Sequence, residues 1–275
     1  MNILSIQSEV VFGHVGQGAA RFALQRLGHE VWALPTVLYS NHSGYPHVEG
    51  DAISANLLRR LLEGLSVNGW LGLCDAVLSG YLGSAEQAEL VAEAVLRAKR
   101  ANPKAIYCLD PVLGDNGRAY AKAGVAEAIA RHLLPLADIV TPNAFELQQL
   151  SALSVFDPIH AKRAAERLGR PLVLVTSVPR GENRIGVLAI SRDEHWFVST
   201  PLLDEAPHGA GDLFAALFLI EKLNGSCIAD GLKRSEARVF RILLASRGFG
   251  ELRLIGEQNT IGESMEFSEL MVESL

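Results

Sequence analysis

The residues best suited to chemistry lie in one short segment, His208-Gly209-Ala210-Gly211-Asp212-Leu213-Phe214-Ala215-Ala216. Its glycines let backbone N–H groups turn inward, and the apolar helix expected after it adds the positive end of a helix dipole. Gly209, Ala210 and Gly211 therefore form a candidate anion hole for a transferring phosphoryl group. Asp212, at the start of the helix, could accept the proton of an attacking hydroxyl. The segment indicates phosphoryl transfer, with an ordinary helix cap as the alternative.

Four further polar motifs come where a short apolar run gives way to a helix-like segment. In chain order they are Asn2–Ser8, Asp75–Gly83, Asp110–Asp115 and Thr141–Leu147. Ligands of open α/β sheets bind outside the carboxyl ends of the strands, which is where these motifs fall. The sequence therefore predicts a site assembled from distant segments.

Two of these motifs carry carboxylates in patterns that suit a hard cation. Asp110 and Asp115 flank a Pro-Val-Leu-Gly turn, and paired carboxylates near phosphates hold such a cation directly or through its waters. Asn143 and Glu146 are three residues apart, so they share one face of a first helical turn. The alternatives are a turn with a solvated acid for the first pair and N-terminal capping for the second.

The elements that must position these residues alternate between strand and helix. Strands are expected at Asn2–Ile6, Glu30–Leu34, Ala76–Ser79, Ala105–Leu109, Asp138–Val140 and Leu172–Val175, with a hairpin from Ile185–Ile190 to His195–Val198. Helices are expected at Gly18–Leu27, Ser54–Glu63, Ser84–Arg100, Gly124–Leu133, Ala144–Leu150, Pro158–Leu168, Gly211–Leu223 and Ala229–Ser246. This order predicts a largely parallel sheet covered by helices on both faces, in one domain spanning 1–275.

Composition fits an enzyme and excludes several other classes. The chain has 275 residues, of which 49% are hydrophobic, and a net charge of −6 without a Lys or Arg run. Nucleic acid and anionic membranes are therefore not expected partners. No apolar run is long enough to span a bilayer and no signal peptide is evident, so a cytoplasmic location is expected. Three widely spaced cysteines predict buried free thiols.

Taken in order, the five motifs resemble the pyridoxal kinases, the vitamin B6 branch of the ribokinase-like superfamily. The resemblance runs from Asn2 to the segment Glu251-Leu252-Arg253-Leu254. It implies a three-layer α/β/α fold and transfer of the γ-phosphoryl group of ATP to the 5′-hydroxymethyl group of pyridoxal, pyridoxamine or pyridoxine. It also implies Mg²⁺, a monovalent cation such as K⁺ and a homodimer.

The resemblance assigns roles to individual residues at the nucleotide end. Asn143-Ala144-Phe145-Glu146 matches the Asn-x-x-Glu motif that supports Mg²⁺ beside the nucleotide phosphates. Asp110, Thr141 and Thr176 match positions associated with the nucleotide and a monovalent cation. Asp115 is expected to join Asp110 and Glu146 around Mg²⁺, partly through water.

At the substrate end, Ser8 resembles the residue that hydrogen-bonds the pyridine ring. Ser43, Gly44 and Tyr81 are expected to line the same pocket, with Asp212 at the reacting hydroxyl.

Three features depart from the family pattern. Glu9 stands where relatives usually carry His, and Ser43 replaces a more usual Thr. The segment Asp204–His208 before the candidate anion hole is shorter than in many bacterial relatives. If the first strand has already turned at Gln7-Ser8, Glu9 approaches the amine of pyridoxamine, which is the interpretation we favour. If the strand continues, Glu9 points away from the ring, because strand side chains alternate between faces.

Other functions remain open alongside pyridoxal kinase. A hydroxymethylpyrimidine kinase is similar, although that family tends to carry Cys where this chain has Asp212. A non-catalytic B6 carrier or regulator would keep the pocket without the reaction. A dinucleotide-binding loop at Gly13-His14-Val15-Gly16-Gln17-Gly18 has the wrong spacing. Those glycines are expected instead to bring the first turn close to the vitamin ring.

Overall fold

Consecutive apolar residues of the central strands pack into different layers, because successive side chains of a strand point to opposite faces of a sheet. The computed structural model describes residues 1–115, 117–262 and 270–274. In β1 (Asn2–Val10), Ile3 packs in one hydrophobic cluster and Leu4 in another. In β4 (Ala76–Ser79), Leu78 joins Ile3, whereas Val77 joins Leu4. Apolar runs in these strands therefore indicate burial on both faces.

One large sheet of ten strands forms the middle layer of the described residues. Its other strands are β2 (Glu30–Tyr39), β3 (Gly50–Ala52), β5 (Ile106–Leu109), β8 (Ile139–Val140), β9 (Leu172–Pro179), β10 (Arg184–Ser191), β11 (His195–Pro201) and β12 (Met271–Ser274). A small hairpin pairs β6 (Gly114–Asp115) with β7 (Arg118–Ala119).

The order of strands across the sheet is β12-β11-β10-β9-β8-β5-β4-β1-β2-β3. The pairs from β2 through β1, β4, β5 and β8 to β9 are parallel, whereas β3 at one edge and β10 to β12 at the other pair antiparallel. The parallel centre brings the carboxyl ends of six strands to one edge, where the motifs lie.

Helices cover both faces of this sheet. They are α1 (Gln17–Arg26), α2 (Ala55–Val67), α3 (Ala85–Ala101), α4 (Val125–Ala128), α5 (Ala144–Ser151), α6 (Pro158–Leu168), α7 (Ala210–Leu223), α8 (Ile228–Ala245) and α9 (Gln258–Gly262). The first hydrophobic cluster contains α1, α7, α8 and α9, and the opposite face packs against α2 to α6. This is the predicted three-layer α/β/α fold.

The structure corrects several predicted boundaries. β1, β2 and β9 run four to five residues beyond their predicted ends, as far as Val10, Tyr39 and Pro179. The helix predicted over Gly124–Leu133 is α-helical only to Ala128 and then widens into a π-helical turn.

All three cysteines are free thiols, but they differ in burial. Cys74 and Cys108 are buried free thiols as predicted, but Cys227 is exposed at the start of α8, so the prediction for it was wrong. Within the ranges described above, no helix is both long and apolar enough to cross a membrane.

Candidate active site

Three of the predicted site residues lie at the carboxyl ends of neighbouring strands. Asp110 follows β5, Thr141 follows β8, and Thr176 lies in β9 beside the start of α5. Backbone hydrogen bonds fix these ends to one another: the Thr141 N–H donates to the carbonyl of Leu109, and the Thr176 N–H donates to that of Pro142, at 3.0 and 2.9 Å. The sheet therefore brings residues from distant parts of the chain to one edge.

The Gly-Ala-Gly-Asp segment forms the N-terminus of α7. Gly209 is the residue before the first turn, with a φ of 98°, and no side chain caps this end. A Cβ atom at Gly209 would overlap the carbonyl oxygen of His14, so only glycine fits there. The backbone N–H groups of a first helical turn have no partner within their helix. The geometry leaves these donors available for an anion.

Asp212 lies in the first turn of α7, where it is half-buried. Burial raises its pKa to about 6, although a hydrogen bond from the backbone N–H of Gly16 acts in the opposite direction. A carboxylate with a pKa near neutrality can both accept and release a proton.

Asp110 is buried and lies close to two other acids. Burial raises its pKa well above the usual value, and the charges of Glu146 and Asp212 raise it further. The Thr141 hydroxyl donates to Asp110 Oδ1 at 3.0 Å, which lowers the pKa by a smaller amount. The repulsion among the acids marks a place that favours positive charge.

Glu146 both caps a helix and contributes to this acidic group. Its carboxylate accepts hydrogen bonds from the N–H groups of Asn143 at 2.8 Å and Leu113 at 2.9 Å, and Asn143 in turn accepts from the Glu146 N–H. This is a capping box, so the N-terminal capping given as the alternative for this pair is present. Burial nevertheless raises the pKa of Glu146 to about 8, against these hydrogen bonds, and Asp115 adds to the rise.

Among the residues that the structure describes, no three acidic, His or Cys side chains form a group able to hold a metal ion by themselves. Four acids nevertheless lie close enough to one tyrosine to act on it together. The pKa of the Tyr120 hydroxyl is raised by burial and by the charges of four acids. These are Glu146, Asp212, Asp115 and Asp110.

At the substrate end, Ser8 is a buried residue of β1 under the loop that precedes α1. A Cβ atom at Gly16 would overlap both the hydroxyl and the carbonyl of Ser8, so glycine allows close approach at this point. Ser43 and Gly44 lie exposed on the loop after β2. Burial and a hydrogen bond with Tyr39 raise the pKa of Tyr81 to about 12, so its phenol stays protonated.

We favoured an interpretation in which Glu9 approaches the amine of pyridoxamine because β1 has already turned. That premise is wrong. The first strand does not turn at Gln7-Ser8 but continues to Val10, with an irregular register between Gln7 and Glu9. Glu9 Oε2 lies 3.5 Å from Arg21 Nη1 on α1. The arginine therefore supplies a cationic partner to this carboxylate from within the chain.

Sequence reasoning missed two residues of this region, Tyr120 and Glu251. Tyr120 follows the small β6–β7 hairpin, which has no apolar periodicity to reveal it. Glu251 is expected from the sequence only to mark the end of the resemblance, yet it binds two loops more than 200 residues away in the chain. Neither contact leaves a local signal in the sequence.

The three-layer fold is that of the ribokinase-like class of kinases. Residues 70–251 match the family model described as phosphomethylpyrimidine kinase. A protein of Rubrobacter xylanophilus named pyridoxal kinase PdxY is 44% identical, over 95% of this chain and 93% of its own length. The pyridoxal kinase PdxY of Deinococcus radiodurans is 41% identical, over 94% of this chain and 91% of its own.

Solved structures agree with these relatives. Pyridoxal kinase from Leishmania donovani, in complex with ADP and pyridoxamine, superposes with a TM-score of 0.93 at 31% identity, covering 100% of this chain and 99% of that one. Pyridoxal kinase from Entamoeba histolytica gives a TM-score of 0.94 at 27% identity, with the same coverage. The chain belongs to the pyridoxal kinase family.

Proposed function

We propose that this protein is an ATP-dependent kinase that phosphorylates the 5′-hydroxymethyl group of vitamin B6 vitamers. One observation carries the proposal: the uncapped N-terminus of α7 holds Asp212 close to the buried Asp110, which in turn lies close to Glu146. An anion hole beside a proton acceptor and a group of carboxylates is what phosphoryl transfer requires. Relatives with this name and a complex with ADP and pyridoxamine support the choice of substrates.

In the proposed reaction, Asp212 accepts the proton of the 5′-hydroxyl as its oxygen attacks the γ-phosphorus of ATP. A new O–P bond forms, the bond from the γ-phosphorus to the bridging oxygen breaks, and ADP leaves. The N–H groups of Gly209, Ala210 and Gly211 face the charge that develops on the phosphoryl oxygens. Positioning and neutralisation of charge supply most of the acceleration in such reactions.

The donor set fits a magnesium ion that accompanies ATP. The charges of Glu146 and Asp212 raise the pKa of Asp110, so a cation between these carboxylates would relieve repulsion. Mg²⁺ is commonly held by one or two carboxylates, waters and substrate phosphates rather than by a cage of protein atoms. Asp110, Asp115 and Glu146 would hold it, partly through water. The ion would supply positive charge to the phosphates.

A monovalent cation such as K⁺ is a second part of the proposal. Asp110 and Thr141 already share a hydrogen bond, and Thr176 lies on the next strand. Carboxylate, hydroxyl and carbonyl oxygens are suitable ligands for a hard cation.

The vitamer would lie between β1 and the loop after β2. Ser8 would meet the ring from the floor, Ser43 and Gly44 from the exposed loop, and Tyr81 from the end of β4. A few polar groups on an otherwise apolar wall are typical of small-molecule sites.

A pyrimidine kinase is the second candidate, favoured by the description of the family model that matches residues 70–251. The deciding experiment incubates the purified protein with Mg-ATP and, separately, each B6 vitamer and hydroxymethylpyrimidine, and identifies products by mass spectrometry. We expect a vitamer 5′-phosphate and one ADP per turnover. Preference for the pyrimidine would establish the second candidate. Binding of vitamers without transfer would make the protein a carrier.

We also propose a homodimer in the cytoplasm, where ATP is available. Leu57, Leu61, Trp70 and Leu73 are large apolar residues between 41% and 58% exposed on α2 and the short helix after it. Such a surface suits self-association. Light scattering at twice the mass of the chain would support the dimer, and the mass of a single chain would contradict it.

A further inference from the structure

The Glu251 carboxylate joins two loops that are remote in the chain. Its Oε2 accepts the backbone N–H of His14 at 2.9 Å. Its Oε1 accepts a hydrogen bond from His42 Nε2 at 2.9 Å and another from the Tyr45 hydroxyl at 2.8 Å. Burial acts to raise the pKa of Glu251, but these hydrogen bonds outweigh it and hold the pKa below the ordinary value. The carboxylate is therefore ionised when it makes these contacts.

The hydrogen bonds of His42 assign its tautomer. Nδ1 accepts the backbone N–H of Gly44 at 3.1 Å, so the ring proton belongs on Nε2, which donates to Glu251. The His42 imidazole thus connects Glu251 to the backbone N–H of Gly44, the residue directly after Ser43.

The same loop is packed against the residue before the anion hole. A Cβ atom at Gly44 would lie 2.6 Å from Nε2 of His208 and 2.8 Å from Cε1 of His42. The rings of His42 and His208 have their centroids 4.6 Å apart. Because His208 directly precedes Gly209, the position of the loop is linked to the position of the anion hole.

Gly13, in the loop before α1, also packs closely against the Glu251 carboxylate. A Cβ atom at Gly13 would lie 2.7 Å from Glu251 Oε2, and Gly13 has a φ of 105°. The carboxylate therefore sits where the loop before α1 and the loop after β2 both approach it.

We propose that Glu251 is a positioning residue for the vitamer site, which holds the 41–45 loop through His42 and Tyr45 so that Ser43 and Gly44 face the substrate beside the anion hole. The inference rests on the proposed function, because it assigns Glu251 to the binding of the vitamer rather than to the transfer step. Glu251 contacts neither Asp212 nor the buried acids in the hydrogen bonds described above.

The test is Glu251→Gln, which keeps the shape of the side chain but turns an amide N–H₂ toward at least one donor. We expect KM for pyridoxal to rise about tenfold, as for a lost charge-assisted hydrogen bond, with kcat within threefold and KM for ATP within twofold. A matched control is Glu49→Gln, since Glu49 pairs with His47 on the same loop but in solvent, at 3.3 Å. The control should leave all three constants unchanged.

A double-mutant cycle with Tyr45→Phe separates positioning from general stability. Both single variants should raise KM for pyridoxal, and together they should raise it by less than the product of the two effects, because they remove the same contact. The milder Tyr45→Phe variant keeps the test decisive if Glu251→Gln does not fold. Unchanged KM in both folded variants, or an equal fall in kcat for all substrates, would overturn the inference. Failure of the wild-type protein to phosphorylate pyridoxal would instead count against the proposed function.

Discussion

Asp212 combines two environments that act on its pKa in opposite directions. The N-terminus of a helix stabilises a carboxylate, and so does the hydrogen bond from Gly16. Burial outweighs these contributions and raises the pKa to about 6. A base with a pKa near the operating pH takes a proton well and is still ionised in most molecules at neutral pH.

This pKa predicts the acid limb of the activity profile. Below about pH 6 Asp212 is protonated and cannot accept the proton of the 5′-hydroxyl, so kcat/KM should fall about tenfold per pH unit. Above that pH the limb should level off. The measurement is kcat/KM for pyridoxal from pH 5 to 8 at saturating Mg-ATP.

Assay at pH 7.5 after exposure to pH 5 is the control for irreversible loss of the fold. A profile that stays nearly flat down to pH 5, as an aspartate with an ordinary pKa near 4 would give, would contradict the environment described for Asp212.

Single residues differ in how far the sequence reveals them. The places of Asp212 and Glu146 in the first turns of their helices could be predicted, because each stands at a fixed spacing from residues of the same turn. Glu251 could not, because its partners His14 and His42 are brought to it by tertiary structure alone. The geometry of Glu9 depended on whether β1 ends at Ser8, and strand ends are set by pairing with neighbouring strands.

At the scale of elements, the start of α7 depends on its contact with the loop before α1. Gly209→Ala would place a methyl group against the His14 carbonyl and hold alanine at a φ of 98°. We expect kcat/KM to fall at least about tenfold and the protein to lose more than about 1 kcal/mol of stability, since strain at φ alone costs about that much. Thermal unfolding and steady-state kinetics measure the two effects.

Gly225→Ala is the matched control for this variant. Gly225 also has a positive φ, 79°, but a Cβ atom there meets nothing within 4 Å. It should therefore report the backbone strain without the clash and leave catalysis unchanged. Equal effects of the two substitutions would contradict a special role for the contact between Gly209 and His14.

The carboxyl ends of β5, β8 and β9 carry the proposed monovalent site. If Asp110, Thr141 and Thr176 hold K⁺ by oxygen ligands, activity with Mg-ATP should be higher in potassium than in the same concentration of tetramethylammonium, which is too bulky to enter. Thr176→Val should reduce that difference. Identical rates in the two salts would remove the cation from the account.

Elements with a strong apolar pattern were predicted well, and the others were not. β4 has the predicted bounds because its four residues are all buried. β3 and β12 escaped prediction because they are edge strands of three and four residues with mostly exposed side chains. Their pairing with β2 and β11 gives them their conformation.

At the scale of the whole molecule, a further acidic residue, Glu236, is buried outside the candidate active site. Glu236 on α8 is 8% exposed, and burial raises its pKa from 4.5 to about 7, although a hydrogen bond with Thr200 of β11 lowers it. Between these values the folded state binds a proton that the unfolded state lacks. The free energy of unfolding should therefore fall as pH rises from 4.5 to 7, and then level off.

Glu236→Gln removes this titration. We expect the variant to equal the wild type near pH 4.5 and to exceed it in stability at pH 8 by up to about 3 kcal/mol. Denaturant unfolding at both pH values measures the difference, and the exposed Glu166→Gln on α6 is the control. A wild-type protein as stable as Glu236→Gln at pH 8 would contradict the buried charge.

The layered architecture itself could be predicted from the alternation of strands and helices, and the three layers confirm it. The alternation of strands and helices did not indicate how closely separate loops approach one another. The contacts of Gly16 with Ser8 and of Gly209 with His14 depend on the finished packing of α1 and α7 against the sheet.

The central claim is that Asp212 at the head of α7 accepts the proton during phosphoryl transfer from ATP to a B6 vitamer. The most direct measurement is the single-turnover rate of pyridoxal 5′-phosphate formation by the wild type and Asp212→Asn at saturating Mg-ATP. We predict a rate lower by about a hundredfold or more in the nearly isosteric variant, the usual scale for a lost general base, with pyridoxal and ATP binding within severalfold of the wild type. A rate close to that of the wild type would contradict the account and leave Gly209–Asp212 as an ordinary helix start.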